Sequence, residues 1–369
     1  MTSSHALMHS FGISIGALLL MPLGHAGDVT HFDPGLGEFP ESVAVGDAGV
    51  VYASLSAKLT VIMIHLDGTL EEFPITEATL PEGAIGALGI AVDRHGNVFV
   101  AVQGCGVAAC SAAHGVWRIT PHGRTYKIAG TEQITFPNDV TLDGQGNLYV
   151  SDTAGGAIWI IRNLRRGGRQ YLFGWPRIWV QEPQLLGTGF FGAFGQPIPL
   201  GANGIAFSPF SPVGHGKGEI LVANTEQASL LAIAIRRSSR PGPIEVVAGG
   251  LCAESSIGVC DPRLLSVDGI AVDRYGDVFA VTVIRLGTAG LEPVSSLYHI
   301  KRRTGDVQLV HEGAPLNLAT DVATGRSFAD AKTAWIANPG FLAPLLGLTP
   351  EPSVARLELE NSWFAAPTP

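Results

Sequence analysis

The stretch Asp268–Ala280 reads Asp-Gly-Ile-Ala-Val-Asp-Arg-Tyr-Gly-Asp-Val-Phe-Ala. An apolar strand leads into a turn rich in Asp and Gly, and a second strand of Val, Phe and Ala follows, which is the sequence pattern of a β-hairpin. Residues 88–100 and 138–150 repeat the pattern with small changes. This hairpin is therefore the repeating unit that the rest of the chain is built from.

The first strand of the hairpin occurs six times along the chain. Its copies begin at Glu41, Leu88, Asn138, Asn203, Asp268 and, more weakly, Thr320. Successive copies start between 47 and 65 positions apart, which is long enough for one four-stranded blade with variable loops. The spacing predicts an all-β fold, a six-bladed β-propeller with four-stranded blades.

A strand near the N-terminus can close the ring of blades. Residues 29–32 form a short β-prone stretch ahead of the first copy, and we expect it to complete the last blade beside strands at 321–323, 333–337 and 353–359. Closure removes the unpaired strand edges that promote aggregation. We predict a single propeller domain over residues 27–369.

Composition excludes one class of partner. The chain of 369 residues carries a formal net charge of −9 and has no run of basic residues. Binding to nucleic acid depends on a basic surface that neutralises phosphates. We therefore expect no nucleic-acid partner.

The N-terminus has the pattern of an export signal. The apolar run Phe11–Leu23 is too short to span a bilayer, and the small residues Gly24 and Ala26 suit a signal-peptidase site. We predict a signal peptide at residues 1–26, a secreted or periplasmic protein, and no stable membrane span after cleavage. A buried or anchoring segment is the alternative.

The four cysteines fall in two close pairs, Cys105 with Cys110 and Cys252 with Cys260. Neither pair has the spacing or the accompanying His of a zinc site. Two local disulfides are predicted, in keeping with an oxidising compartment, and reduced buried thiols are the alternative.

The first residues of the six copies are predicted to form a ring. The first strand of each propeller blade lines the central channel, so equivalent positions surround the axis. Four of the six are oxygen donors of the kind that Ca²⁺ requires: Glu41, Asn138, Asn203 and Asp268. The other interpretation is that the Asn and Asp residues are ordinary turn signals where a loop meets a strand.

Long connections predict which face of the propeller holds a site. The segments 285–296 and 338–352 and the Cys105–Cys110 loop all join second to third strands, so they share a face with the predicted ring. Residues 162–200 include Trp175, Trp179, Phe190, Phe191 and Phe194 among Gly and Pro. They are either an outer strand with a packed loop or a hydrophobic lid over the channel mouth.

The hairpins and the ring resemble the SMP-30/gluconolactonase/paraoxonase-like superfamily of calcium-dependent six-bladed propellers. The resemblance rests on Glu41 in Phe-Pro-Glu-Ser-Val, Asn138 in Pro-Asn-Asp-Val, Asn203 in Ala-Asn-Gly-Ile and Asp268 in Val-Asp-Gly-Ile. It implies that these four residues bind a catalytic Ca²⁺. Phe136 stands where sugar-lactone hydrolysing members carry Arg, so sugar specificity is not implied. The hairpins are equally similar to NHL repeats, which build propellers without a central ion.

Two functions follow from these resemblances. The first is an exported Ca²⁺-dependent hydrolase of a small lactone or related ester, with Asp268 as general base or nucleophile and His114 as a proton shuttle. The second is a non-catalytic, NHL-like propeller that binds a ligand or a protein on its elaborated face.

Overall fold

The structure is a computed structural model. It describes residues 26–363 except 165–170, 195–197, 212–215, 254, 256–257, 288–289, 326–331 and 361–362. The predicted signal peptide therefore falls outside the described residues, apart from Ala26.

Six four-stranded antiparallel sheets make up the body of the protein, which confirms the predicted propeller. Strand β1 covers Ala26–His31. Blade 1 contains β2 (Pro40–Val45), β3 (Val51–Leu55), β4 (Thr60–Ile64) and β5 (Leu70–Pro74). Blade 2 contains β6 (Gly86–Val92), β7 (Val98–Gln103), β8 (Gly115–Ile119) and β9 (Thr125–Lys127). Blade 3 contains β10 (Pro137–Leu142), β11 (Leu148–Asp152), β12 (Ala157–Ile161) and β13 (Arg177–Gln181).

The remaining blades follow the same plan. Blade 4 contains β14 (Ala202–Ser208), β15 (Glu219–Asn224), β16 (Ser229–Ile235) and β17 (Pro241–Gly249). Blade 5 contains β18 (Val267–Val272) and β19 (Val278–Thr282), then a small hairpin of β20 (Arg285–Gly287) and β21 (Gly290–Glu292), then β22 (Ser296–Ile300) and β23 (Val307–Glu312). Blade 6 contains β24 (Asp321–Thr324), β25 (Thr333–Asn338) and β26 (Ser353–Glu358).

Strand β1 closes the ring as predicted. It pairs antiparallel with β26, with Val29 opposite Ala355 and Thr30 opposite Val354. Blade 6 therefore has four strands although only three of them come from the C-terminal part of the chain. Apolar clusters fill the space between neighbouring blades, and one of them joins β2 to blade 6 through Val43 and Val354.

The innermost strands of five blades share a β-bulge near their first residues. Pairing with the second strand is interrupted between Pro40 and Ser42, Ala87 and Ile90, Pro137 and Val140, Ala202 and Ile205, and Val267 and Ile270. A bulge leaves an extra residue unpaired and re-aims its side chain. The residues in these bulges include five of the six predicted ring positions, so the same local distortion occurs at each of them.

The aromatic segment at 162–200 is divided between the two faces. Because strand direction alternates within a blade, residues 162–164 and 171–176 lie at the face opposite the ring, between β12 and β13, and residues 182–194 and 198–201 follow β13 at the ring face. The second part is clamped to blade 4, where the carboxylate of Glu226 accepts hydrogen bonds from the N–H groups of Gly189 (2.6 Å) and Phe191 (3.0 Å). The described part of the segment contains the outer strand β13 and a loop packed on blade 4.

The two cysteine pairs lie at disulfide distance, Cys105 with Cys110 and Cys252 with Cys260, as predicted. Both pairs sit in connections at the ring face. Within the described ranges, no helix combines the length and the apolar character needed to cross a bilayer.

Candidate metal centre

The structure brings the four predicted ligands to one small cavity at the channel mouth. Glu41, Asn138, Asn203 and Asp268 all line it, together with Thr320 from blade 6. Its volume is about 10 Å³, which is close to the space that one water molecule needs. The ring positions therefore converge on a space suited to a single ion or water.

Threonines directly after the second strands β11 and β15 fix the orientation of both amides. The Thr153 hydroxyl donates to the Ala202 carbonyl (2.7 Å), so it accepts a hydrogen bond from the Asn138 NH₂ group (2.9 Å). A matching chain runs in the next blade, where Thr225 donates to the Val267 carbonyl (2.9 Å) and accepts from Asn203 (3.0 Å). With its nitrogen held by Thr, each amide keeps its Oδ1 atom available for another partner.

The two carboxylates at ring positions, Glu41 and Asp268, have side chains without hydrogen-bond partners among the described residues. Neither Glu41, which is 8% exposed, nor the partly exposed Asp268 has a side-chain hydrogen bond or an ion pair there. Burial, followed by the charge of Asp268, raises the pKa of Glu41 well above its ordinary value. Burial and then the charge of Asp321 raise the pKa of Asp268.

Two further carboxylates line the cavity, and backbone N–H groups hold them in place. Asp139 accepts hydrogen bonds from Val140 (2.7 Å) and Ile205 (2.8 Å). Asp321 does the same with Val322 (2.8 Å) and Val43 (2.9 Å). Each carboxylate thus joins its own inner strand to the inner strand of the next blade.

These backbone contacts oppose the effect of burial on the two aspartates. Burial, and then the charge of Asp321, raises the pKa of Asp139, and burial raises the pKa of Asp321 to about 6. The Ser42 hydroxyl also donates to Asp321. Because both oxygens of each aspartate are in hydrogen bonds, Asp139 and Asp321 have a structural role in this arrangement.

The donor set fits a hard cation. Four carboxyl groups and two amide oxygens surround the cavity, and no Lys, Arg or His is among its lining residues. Three of the four carboxylates are buried, and ionised carboxylates this close to each other are strongly destabilised unless a positive charge compensates them. Oxygen donors from Glu, Asp and Asn are those that Ca²⁺ binds in proteins.

His114 does not reach this cavity. It is 2% exposed, its Nδ1 accepts the Gly104 N–H (3.2 Å), and its Nε2 therefore donates to the Ile134 carbonyl (2.8 Å). Burial is the main cause of its lowered pKa. The two imidazole nitrogens thus join the β7–β8 loop to the segment just before β10. This geometry gives no support to the predicted proton shuttle.

A second acidic cluster lies on the opposite face, in the β18–β19 turn. Ligand atoms of Asp273, Asp277 and His299 lie within 4.8 Å of one another. Lys301 already donates to Asp277 (2.9 Å), and Asp273 accepts the N–H groups of Tyr275 and Asp277. Internal donors therefore compensate this cluster, whereas the ring cavity has no positive side chain.

The sequence patterns missed the four supporting residues of the site. Asp139 and Asp321 occupy the second position of their copies, where the other copies have Ser or Gly. Thr153 and Thr225 each follow the second strand in the two blades whose ring residue is Asn. Aligning second positions and strand ends across the copies would have drawn attention to both pairs.

Solved structures resemble the chain over nearly its whole length. A gluconolactonase from Xanthomonas campestris has a TM-score of 0.54 at 14% identity, covering 91% of this chain and 95% of its own. The calcium-binding protein regucalcin from Agrobacterium tumefaciens has a TM-score of 0.53 at 13% identity, covering 90% and 94%. The fold is that of the gluconolactonase-type six-bladed propellers. Virginiamycin B lyase from Staphylococcus aureus shares it too, with a TM-score of 0.50 at 13% identity, covering 90% and 99%.

Neither a family model nor a curated protein matches the sequence. At identities of 13 to 14% the structural likeness establishes the fold.

Close packing behind the ring gives a stability prediction. A methyl group on Gly89 would overlap the Oδ1 and Cα atoms of Asp139, whereas one on Gly144 would meet no atom within 4 Å. We expect Gly89→Ala to destabilise the fold by about 1–3 kcal/mol, since overpacking forces neighbouring groups to shift. Urea unfolding measures the difference. Gly144→Ala is the matched control, and equal stability of the two variants would contradict the packing described here.

Proposed function

We propose that the protein is a Ca²⁺-dependent hydrolase of small lactones or related esters, acting at the ring cavity. The observation that carries the proposal is the set of four side chains whose oxygens have no hydrogen-bond partner among the described residues, around a cavity that is rich in carboxylates and has no basic side chain among its described lining residues. Glu41, Asn138, Asn203 and Asp268 would hold the ion. The likeness to a gluconolactonase and to a calcium-binding protein supports this at the level of fold.

Different residues would hold the ion and carry out the proton transfer. Asn138 and Asn203 present amide oxygens whose direction Thr153 and Thr225 set. When bound, Ca²⁺ would polarise the carbonyl oxygen of the substrate. Asp268 is partly exposed and has no hydrogen bond among the described residues, so it is free to accept a proton from the attacking water or to act as the nucleophile.

The size of the cavity limits where a substrate binds. About 10 Å³ accommodates an ion but not an organic molecule. The lactone or ester would therefore lie on the outer side of the ring, at the face that carries both cysteine loops and the 182–201 segment. The proton taken by Asp268 can return to the leaving alkoxide when the ester bond breaks.

The central experiment changes the charge of Asp268 and leaves its shape nearly unchanged. We expect Asp268→Asn to lower turnover of a lactone and aryl-ester panel by about 10²-fold or more, because the acceptor of the proton is lost.

Removing an ion ligand is a separate test. Asn203→Ala should weaken Ca²⁺ binding, and it should lower activity because less Ca²⁺ is bound. Chelation should lower the melting temperature, since Ca²⁺ at a hundredfold excess over its dissociation constant stabilises the fold by about 2.7 kcal/mol. Turnover, metal content and thermal unfolding are the measurements.

Asp277→Asn is the control, because it makes the same chemical change in the acidic cluster on the other face. Asn occupies the equivalent turn position in blades 2 and 3, at Asn97 and Asn147, so the variant should fold and keep its activity. Unchanged turnover in Asp268→Asn, or an active protein free of metal, would rule out this mechanism. Metal binding without turnover on any member of the panel would favour the ligand-binding propeller.

Export to an oxidising compartment is part of the proposal. The two cysteine pairs at disulfide distance support it. We expect the mature protein to begin near Gly27, because Gly24 and Ala26 suit a signal peptidase. N-terminal sequencing of the secreted product is the measurement, and a soluble product that keeps residues 1–26 would contradict export.

A further inference from the structure

A second cavity opens on the face opposite the ring, between blades 3 and 4. Its volume is about 360 Å³, which falls within the range of small-molecule sites. The end of β12, the start of β13 and the turn before β17 form its walls. The lining residues are Arg162, Arg177, Ile178, Trp179, Ser238, Ser239, Arg240 and Pro241.

In the described part of the chain, three arginines line this cavity and no carboxylate does. Among the described residues, none of Arg162, Arg177 and Arg240 has an acidic partner within salt-bridge distance. Burial and then the charges of Arg177 and Arg240 lower the pKa of Arg162. Such a concentration of uncompensated positive charge is unusual in a chain whose net charge is −9.

The cavity wall is held in a specific conformation. Ser238 and Ser239 have φ angles of 60° and 55°, in the left-handed region that residues other than glycine rarely adopt. The Ser238 carbonyl accepts a hydrogen bond from Arg162 Nη2, and the Ser239 carbonyl accepts one from Trp179 Nε1 (2.9 Å). Strained backbone of this kind persists where the surrounding structure holds it in place, often at ligand sites.

Arg162 is only partly satisfied by this turn. Its Nε atom is buried and has no hydrogen-bond partner among the described residues. A buried donor without a partner is costly, so Arg162 remains in the cavity wall without full compensation of its charge or its donors. Arg177 and Arg240 are exposed at the rim, and neither has a side-chain hydrogen bond within the described ranges. Both are therefore free to contact a ligand.

We propose that this cavity binds a small phosphate monoester. A phosphate group carries about −1.5 to −2 charge at pH 7, which suits a group of three arginines better than the single charge of a carboxylate does. Guanidinium groups also match the spacing of phosphate oxygens and bind them in pairs. Arg177 and Arg240 contact the phosphate, and Ile178 and Pro241 contact its apolar substituent.

Calorimetric titration with phenyl phosphate at fixed ionic strength tests the site, with phenol as the uncharged reference. We expect saturable 1:1 binding of phenyl phosphate and none of phenol. Arg177→Gln and Arg240→Gln should each weaken binding by about tenfold or more, since each removes charged hydrogen bonds. Arg177→Lys should restore only part of the affinity, because Lys lacks the paired geometry of Arg.

Arg303→Gln is the control for overall charge. Arg303 is exposed in the β22–β23 turn on the same face, so its loss should leave binding unchanged. Equal affinities of the Arg177→Gln and Arg303→Gln variants would overturn the proposal, as would the absence of phenyl phosphate binding to the folded wild-type protein. Sedimentation with vesicles containing phosphatidic acid separates the two sources of the phosphate group. Binding to vesicles without binding to phenyl phosphate would also overturn the proposal.

Discussion

Crowding of carboxyl groups at the channel mouth is the constraint on which the centre of the structure depends. Glu41, Asp139, Asp268 and Asp321 line one cavity of about 10 Å³, with no basic side chain beside them. Backbone N–H groups satisfy Asp139 and Asp321, and through these bonds each ties two neighbouring blades together. Glu41 and Asp268 have no such partners among the described residues. Two carboxylates of the cluster therefore join inner strands by hydrogen bonds, and the other two need a cation to balance their charge.

The fold and the four ring residues were predictable because they depend on a repeated local pattern. The dipeptides Asn203-Gly204 and Asp268-Gly269 stand near the start of their inner strands, and the structure places a β-bulge at both. A bulge at the same place in five blades keeps the repeats in phase, so residues aligned in sequence also meet in space. Closure by β1 was predictable for a related reason, since a ring with an incomplete blade would expose a strand edge.

Contacts between distant parts of the chain were not predictable in this way. The loop carrying His114 was placed on the correct face, but the side chain turns inward to bond Gly104 and Ile134, because loop backbone groups buried there need partners. Thr153 and Thr225 each hold the amide of their own blade and donate to a carbonyl of the next blade, and this second contact has no signal in the hairpin pattern. The arginine cavity is lined by residues more than 70 positions apart, such as Arg162 and Ser238, and no sequence motif predicts it.

Locating the ion directly is the most decisive measurement for this account. An experimental structure of the protein crystallised with Ca²⁺ should show one ion in the ring cavity, with oxygens of Glu41, Asn138, Asn203 and Asp268 at about 2.3–2.6 Å. The amide nitrogens should remain bonded to Thr153 and Thr225. A ring cavity without an ion under saturating Ca²⁺, or an ion bound only by the Asp273, Asp277 and His299 cluster, would contradict the account.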